Sequence, residues 1–252
     1  MSRPQLVLLH GFLGFVRWGP FEYFRGVRDA LRAIHIDALT PEVPADGTIA
    51  ERAEVLARTL FRSRVPAFAL LAHSMGGLDA RYLVTNLDSD RRVKSLLTVA
   101  TPHNGTPVAL WVLESRGLAQ VYIRHIGMRG LPELTNEARA AMPIPDRVDV
   151  DYSSYAGYRS PEELPFCLRR YGRVIQEDND GLVPVSSAHW GRFRGVMRAD
   201  HLEFVGWNLG LPDPRTARPF DHLPFWRGAA VEAIAAAERK MLANDNNGPA
   251  RG

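Results

Sequence analysis

The chain has 252 residues, 46% of them apolar and 23% charged, with a formal net charge of +3. That composition excludes a disordered chain and fits one α/β domain with a single substantial core. No apolar run approaches the roughly 20 residues that span a bilayer, and the single Cys167 excludes an intramolecular disulfide. The positive charge is almost all arginine, with Lys94 and Lys240 the only lysines. The arginines are spread along the chain, not clustered as a nucleic-acid surface requires. Met1-Ser2-Arg3-Pro4 leads straight into an apolar run that carries a motif. It does not read as a cleaved leader, and with one cysteine the expectation is residence in the cytoplasm. Cys167 lies in the apolar stretch 164–168 and is expected in the core.

In chain order, 5–9 reads as a buried parallel strand ending in His10-Gly11. A glycine-rich loop follows over 11–20. The spacing of Phe21, Phe24, Val27, Leu31 and Ile34 predicts an amphipathic helix over 21–34. A short strand is expected at 36–39. A helix is expected over 48–60, where Thr48 and Glu51 form a capping box. An apolar run over 67–71 then enters the turn Ala72-His73-Ser74-Met75-Gly76, and a helical pattern follows to Val84. The next strand is predicted over 93–100. Strands alternating with helices at this spacing mean βαβ units and a parallel sheet. The pattern breaks between Thr106 and Pro165, which has few strand signals. Strands are expected again at 168–176 and 192–197, and a last helix at 231–242. The polar end, 243–252, is expected to be disordered. The whole reads as one domain over 1–242.

Small-x-Ser-x-Gly between a strand and a helix is the setting of a nucleophile elbow. Ser74 is the candidate nucleophile, with small Ala72 and Gly76 where strand and helix nearly touch. A serine needs a base, and the base needs an acid to orient it. In an α/β-hydrolase the chain order is Ser, acid, His. The acid turn Glu177-Asp178-Asn179-Asp180-Gly181 follows the expected strand at 168–176, and Asp180 is the choice, with Asp178 and Glu177 as fallbacks. His201 follows the strand expected at 192–197 and is the candidate base. His189 precedes that strand and reads as a structural hydrogen-bonding residue. The oxyanion hole needs two backbone N–H groups. Met75, after the nucleophile, and Phe12, in the loop after the first strand, are the candidates, and His10 is expected to tie that loop down.

These motifs carry a resemblance. Leu8-Leu9-His10-Gly11-Phe12, 22–27, the elbow 72–82, Ala100-Thr101-Pro102-His103-Asn104-Gly105-Thr106, Asp180-Gly181-Leu182-Val183, 187–191 and His201-Leu202-Glu203 stand in the order seen in bacterial true lipases. The chain resembles a compact member of that family from about residue 6 to about residue 205. The resemblance implies an α/β-hydrolase fold, a mostly parallel sheet with helices on both faces and a helical lid insertion. It also implies Ser74, Asp180 and His201 as catalytic residues, Phe12 and Met75 as the oxyanion hole, and hydrolysis of carboxylic esters such as triacylglycerols. Such a protein meets an ester or lipid substrate and the lipid–water interface, with no nucleic acid and no transmembrane segment as partner.

Two departures stand out. Relatives are usually secreted and often carry a disulfide. Many hold a structural calcium through an acid two residues after the histidine. Glu203 keeps that acid, but Trp207 stands where an amide ligand is expected, and calcium takes six or more oxygens. The expectation is that no cofactor is required. The stretch 106–165 stands where these lipases place the lid, and 108–113 and 121–123 are apolar on almost every face. Leu13, Trp111 and Leu182 are the candidate substrate contacts. The competing readings are a thioesterase or acyltransferase with the same triad, and a non-catalytic lipid-binding protein on the same scaffold.

Overall fold

A computed structural model describes residues 3–246 apart from 13, 15, 19–20, 116–127 and 211–218. Six parallel strands form one sheet: β1 (Gln5–Leu9), β4 (Ala38–Leu39), β5 (Phe68–His73), β6 (Val93–Val99), β7 (Asp151–Gly157) and β8 (Arg192–Met197). Their spatial order is β4-β1-β5-β6-β7-β8, and every pairing is parallel. The short β2 (Arg17–Trp18) and β3 (Phe21–Glu22) make a separate antiparallel ribbon.

β5 is buried at all six positions, which explains why it reads as a continuous apolar run. Helix α1 (Val27–Arg32) and the last helix cover one face of the sheet, where Leu8, Leu71, Val27, Leu31, Phe204 and Trp226 form a core. Helices α2 (Ile49–Phe61) and α3 (Gly76–Asn86) cover the other, packing Leu56, Leu60, Leu70, Leu83 and Leu96. The capping box of α2 is present: Thr48 accepts from the Glu51 N–H, and Glu51 accepts from the Thr48 N–H. Among the described residues, no helix is long and apolar enough to cross a membrane.

Several sequence expectations are corrected. The helix expected over 21–34 is confined to α1. Residues 21–22 pair in the ribbon, and Gly26, at φ 69°, turns the chain into the helix in a left-handed conformation. The segment 106–165 contains helices α4 (Pro107–Glu114) and α5 (Asn136–Ala141), but also β7. The sequence of β7, DYSSYAG, has no apolar run to mark it as a strand. Its serines are buried all the same, and the Ser154 hydroxyl donates to the Trp190 carbonyl at 2.6 Å. The strand expected at 168–176 is instead helix α6 (Phe166–Gly172), which starts after Pro165. Cys167 is exposed on α6, whose inward face is carried by Leu168. A short α7 (Val185–Ala188) precedes β8. The last helix, α8 (His222–Asn246), begins nine residues before the expected start, because Pro224 falls in its first turn, where no intrahelical N–H is needed. It also runs past 243 into the stretch expected to be disordered, and 247–252 lie outside the described residues. So does the apolar stretch 121–123.

Candidate active site

The site lies beyond the carboxyl ends of β1, β5, β7 and β8, where a parallel sheet leaves backbone groups and loops free. β5 ends at His73, and α3 starts at Gly76. Ser74 between them has φ 56°, a left-handed conformation that costs a non-glycine residue energy and persists only where the surroundings enforce it. They do enforce it. The Ser74 N–H donates to the Val99 carbonyl at 2.9 Å, and its own carbonyl accepts from the Gly77 N–H at 3.0 Å and the Thr101 hydroxyl at 2.7 Å. A Cβ on Gly76 would meet the His10 and Leu9 carbonyl oxygens at 2.7 and 2.8 Å, so glycine lets helix and strand close on each other.

Ser74, His201 and Asp180 form one hydrogen-bonded line. Ser74 Oγ stands 3.0 Å from His201 Nε2, and His201 Nδ1 stands 2.7 Å from Asp180 Oδ2. Asp180 is fully buried. Its Oδ1 accepts from the N–H groups of Leu182 and Val183 at 2.9 and 2.7 Å, and its carbonyl accepts from the His201 N–H at 2.9 Å. The strand expected at 168–176, ahead of Asp180, does not form. The residue instead packs against Gly157, the last residue of β7, where an added Cβ would come within 2.9 Å of Asp180 Cβ. The alternatives Glu177 and Asp178 are exposed. His189 is exposed and stacks on Phe193 with ring centroids 4.2 Å apart.

The Gly11–Phe12 loop lies against the serine: a Cβ on Gly11 would fall 2.6 Å from Ser74 Cβ and 3.0 Å from Oγ. Among the described residues no protein acceptor takes the Phe12 or Met75 N–H. His10 is buried, with Nδ1 against the Gly11 carbonyl at 3.1 Å and Nε2 against the Val43 N–H at 3.5 Å. Burial, helped by the Arg52 charge, lowers its pKa to about 4.

Three supports of the site escape sequence reasoning. Arg52 of α2 is fully buried and binds Asp79 Oδ2 at 2.8 Å. It also donates to the carbonyls of Pro44, His10 and Gly11 at 2.7, 2.8 and 3.2 Å, which pins the loop carrying Phe12. Burial pushes the Asp79 carboxyl up to about 7 against the pull of Arg52. Tyr23 is the second: its hydroxyl accepts from the Gly11 N–H at 3.0 Å and shares a hydrogen bond with His73 Nδ1 at 2.7 Å. His73 is the third. Its ring lies 4.6 Å from that of His201, and burial holds its pKa well below the ordinary histidine value, with the His201 charge adding to that. A neutral ring beside the base does not oppose formation of an imidazolium there. In the sequence, Arg52 is one more arginine on an amphipathic helix, and nothing in the spacing marks it.

Ser74 and His201 open onto a cavity of about 460 Å³ walled mainly by apolar side chains, among them Phe12, Val108, Val112, Leu131 and Leu182. Leu182 thus lines it, while Leu13 lies outside the described residues. Trp111 does not line it. α4 turns Val108, Ala109 and Val112 inward, and Trp111 stands off that face, edge-on to Tyr171 at 5.7 Å with Arg170 over its ring. Its neighbour Tyr171 of α6 reaches the cavity in its place.

The residues after His201 do not fit a calcium ion. Both Glu203 oxygens are engaged by Arg159, at 2.8 and 2.9 Å, and Trp207 supplies no side-chain oxygen. Among the described residues no group of three or more His, Cys, Asp or Glu is arranged to hold a metal.

The family described as PGAP1-like alpha/beta domain matches residues 58–118, which span β5, the elbow and β6. Triacylglycerol lipase 2 of Saccharomyces cerevisiae is 31% identical over 212 residues, covering 76% of this chain and 64% of the yeast protein. The chain therefore spans less than two thirds of that relative's length. A triacylglycerol lipase of Vibrio cholerae is 25% identical, covering 83% of this chain and 82% of its own. Among solved structures, a metagenomic carboxyl esterase superposes with a TM-score of 0.72 at 20% identity, covering 95% of this chain and 76% of that one. The six-stranded parallel sheet and this structural likeness together show the α/β-hydrolase fold.

Proposed function

We propose that this protein is a serine carboxylic ester hydrolase acting on fatty-acyl esters through an acyl-enzyme. The observation that carries the reading is the line Ser74–His201–Asp180 at 3.0 and 2.7 Å, with the serine at the wall of an apolar cavity. The names of the relatives, triacylglycerol lipases and a carboxyl esterase, support the substrate class.

The acyl chain lies in the cavity, and the ester carbonyl meets Ser74 Oγ. His201 Nε2 takes the hydroxyl proton as Oγ attacks, and Asp180 holds Nδ1–H and stabilises the imidazolium. The oxyanion rests on the Phe12 and Met75 N–H groups. His201 then gives the proton to the leaving alcohol. Water, deprotonated by the same imidazole, releases the fatty acid from Ser74. None of these steps uses a cofactor.

Ser74→Ala tests the assignment directly. Hydrolysis of p-nitrophenyl butyrate and labelling by a fluorophosphonate probe should both be lost from a protein that still folds. Retained turnover would show that another residue attacks. Comparing soluble esters with triacylglycerol emulsions separates esterase from lipase behaviour, since a rate jump at the interface marks the latter.

A further inference from the structure

The loop that delivers His201 and the loop that faces it with Asp180 are rich in buried acids. Asp180, Asp200 and Glu203 are 0, 1 and 2% exposed, and all lie within a few residues of the imidazole or touch it. Buried carboxylates need a cation or a full set of donors. Part of the set is backbone: Asp200 Oδ1 accepts from the Leu202 and Glu203 N–H groups at 2.8 and 2.9 Å. The cation is Arg159, itself 1% exposed, two residues beyond the end of β7. Its Nε and Nη2 grip the two oxygens of Glu203 in a fork. Glu203 in turn accepts from the N–H groups of Asp200 at 2.8 Å and Phe220 at 3.2 Å, which fixes the residues on either side of the histidine loop.

Arg159 also reaches the other half of the pair. Its backbone N–H donates to the carbonyl of Asn179, the residue before Asp180, at 3.1 Å. One residue thus holds the acid's loop by its main chain and the base's loop by its side chain. On the reading of the site as a serine hydrolase, we infer that Arg159 is a positioning residue for Asp180 and His201. Its guanidinium is a covalently supplied cation on the carboxylate that the resemblance would give to calcium. Unlike an ion, it cannot exchange, and its planar fork matches a carboxylate at two points. Hydrolysis and folding should therefore be indifferent to calcium and to chelators.

The test has one arm on the unmodified protein and one on variants. In excess EDTA, and again with added calcium, the wild-type protein should keep the same kcat and the same Tm. A loss in EDTA that calcium restores would overturn the inference. Arg159→Met should lower kcat for p-nitrophenyl butyrate by about 10- to 100-fold with KM within about twofold, the pattern of disturbed positioning and not of lost binding. Rates are taken per active site, counted by fluorophosphonate burst, so that partial unfolding does not mimic the effect. Arg159→Lys, which keeps the charge without the fork, should recover part of the loss. The downfield proton of the His201 Nδ1–H···Asp180 hydrogen bond, identified by its absence from His201→Ala, should broaden in Arg159→Met and in Glu203→Gln. If Arg159→Met does not fold, Arg159→Lys and Glu203→Gln decide. Full kcat with an unaltered proton signal in both would reduce Arg159 to a structural role and refute the inference. Wild-type protein that neither hydrolyses esters nor takes the label would instead refute the proposed function.

Discussion

Asp180→Asn is nearly isosteric, and the hydrogen bonds around residue 180 dictate how the new amide must sit. Oδ1 accepts two backbone N–H groups, from Leu182 and Val183, and Oδ2 faces His201 Nδ1. Turning the amide oxygen toward His201 would point an NH2 group at two buried N–H donors. Leaving those donors without acceptors costs about 1–3 kcal/mol each, more than the single bond regained. The amide therefore keeps its oxygen on the backbone and donates Nδ2–H to His201 Nδ1. That forces the imidazole proton onto Nε2, where it faces Ser74 Oγ at 3.0 Å and leaves no lone pair to accept the hydroxyl proton. Trapping the wrong tautomer in a triad costs about 10⁴ in kcat, or roughly 5 kcal/mol of transition-state stabilisation. The assay is kcat/KM on p-nitrophenyl butyrate, with Tm recorded alongside. Asp180→Ala makes the contrast: it abandons both backbone donors and should lose about 2–4 kcal/mol of stability, yet its imidazole is free to choose its tautomer. The asparagine variant should thus be the more stable of the two and no more active. An asparagine variant that keeps more than about a tenth of wild-type kcat/KM would refute the role given to Asp180.

Three further outcomes follow from the same geometry. Gly77→Ala places a Cβ 2.2 Å from Thr101 Oγ1, the hydroxyl that holds the Ser74 carbonyl, and should destabilise by about 1–3 kcal/mol in urea melts while lowering kcat; a variant neutral in both measurements contradicts the packing. Thr48→Ala removes one half of the α2 capping box and should cost about 1 kcal/mol, a fall in Tm of roughly 2–4 °C in calorimetry. His10 gives a pH signature. Its folded pKa of about 4 lies below the ordinary histidine value of 6.5, so the unfolded chain binds more protons between those values. This contribution to stability is complete above pH 6.5 and shrinks as pH falls toward 4, by about 3 kcal/mol in all. Tm should fall across that window, and less steeply in His10→Gln; equal slopes would mean that His10 is not the group responsible.

The parts of the fold that can be read from sequence are those where burial is symmetrical or a local cap dominates. β1 and β5 announce themselves because both faces are covered and the apolar runs are nearly continuous, β6 through its leucines and β-branched residues, and α2 because its box closes on itself. β7 is invisible for the opposite reason. Its serine hydroxyls are satisfied by partners such as Trp190, which is 36 residues away in sequence, so polar residues occupy a buried strand with no local mark of it. α6 mimics a strand because only Leu168 and Gly172, four apart, mark its buried face, and seven residues are too few for a helical period to declare itself.

The same distinction separates what the sequence reveals of the site from what it hides. Ser74 and His201 stand in turns whose residue types are demanded locally, and their order along the chain is a constraint that sequence carries. Arg52 and Arg159 are demanded only by what the folded chain brings to them: one meets carbonyls 41 and 42 residues earlier, the other a carboxylate 44 residues later. Trp111 illustrates the limit from the other side. α4 is apolar all round, so its sequence does not say which face meets the cavity, and the largest side chain is the natural guess. The structure uses that side chain as a backing for Tyr171 and presents the smaller Val108, Ala109 and Val112 instead. Small residues on that wall leave room beside Ser74, and a bulky one there would fill it. Val112→Trp should accordingly shift preference toward shorter acyl chains across a p-nitrophenyl ester series. An unchanged chain-length profile would mean that the acyl group does not lie against α4.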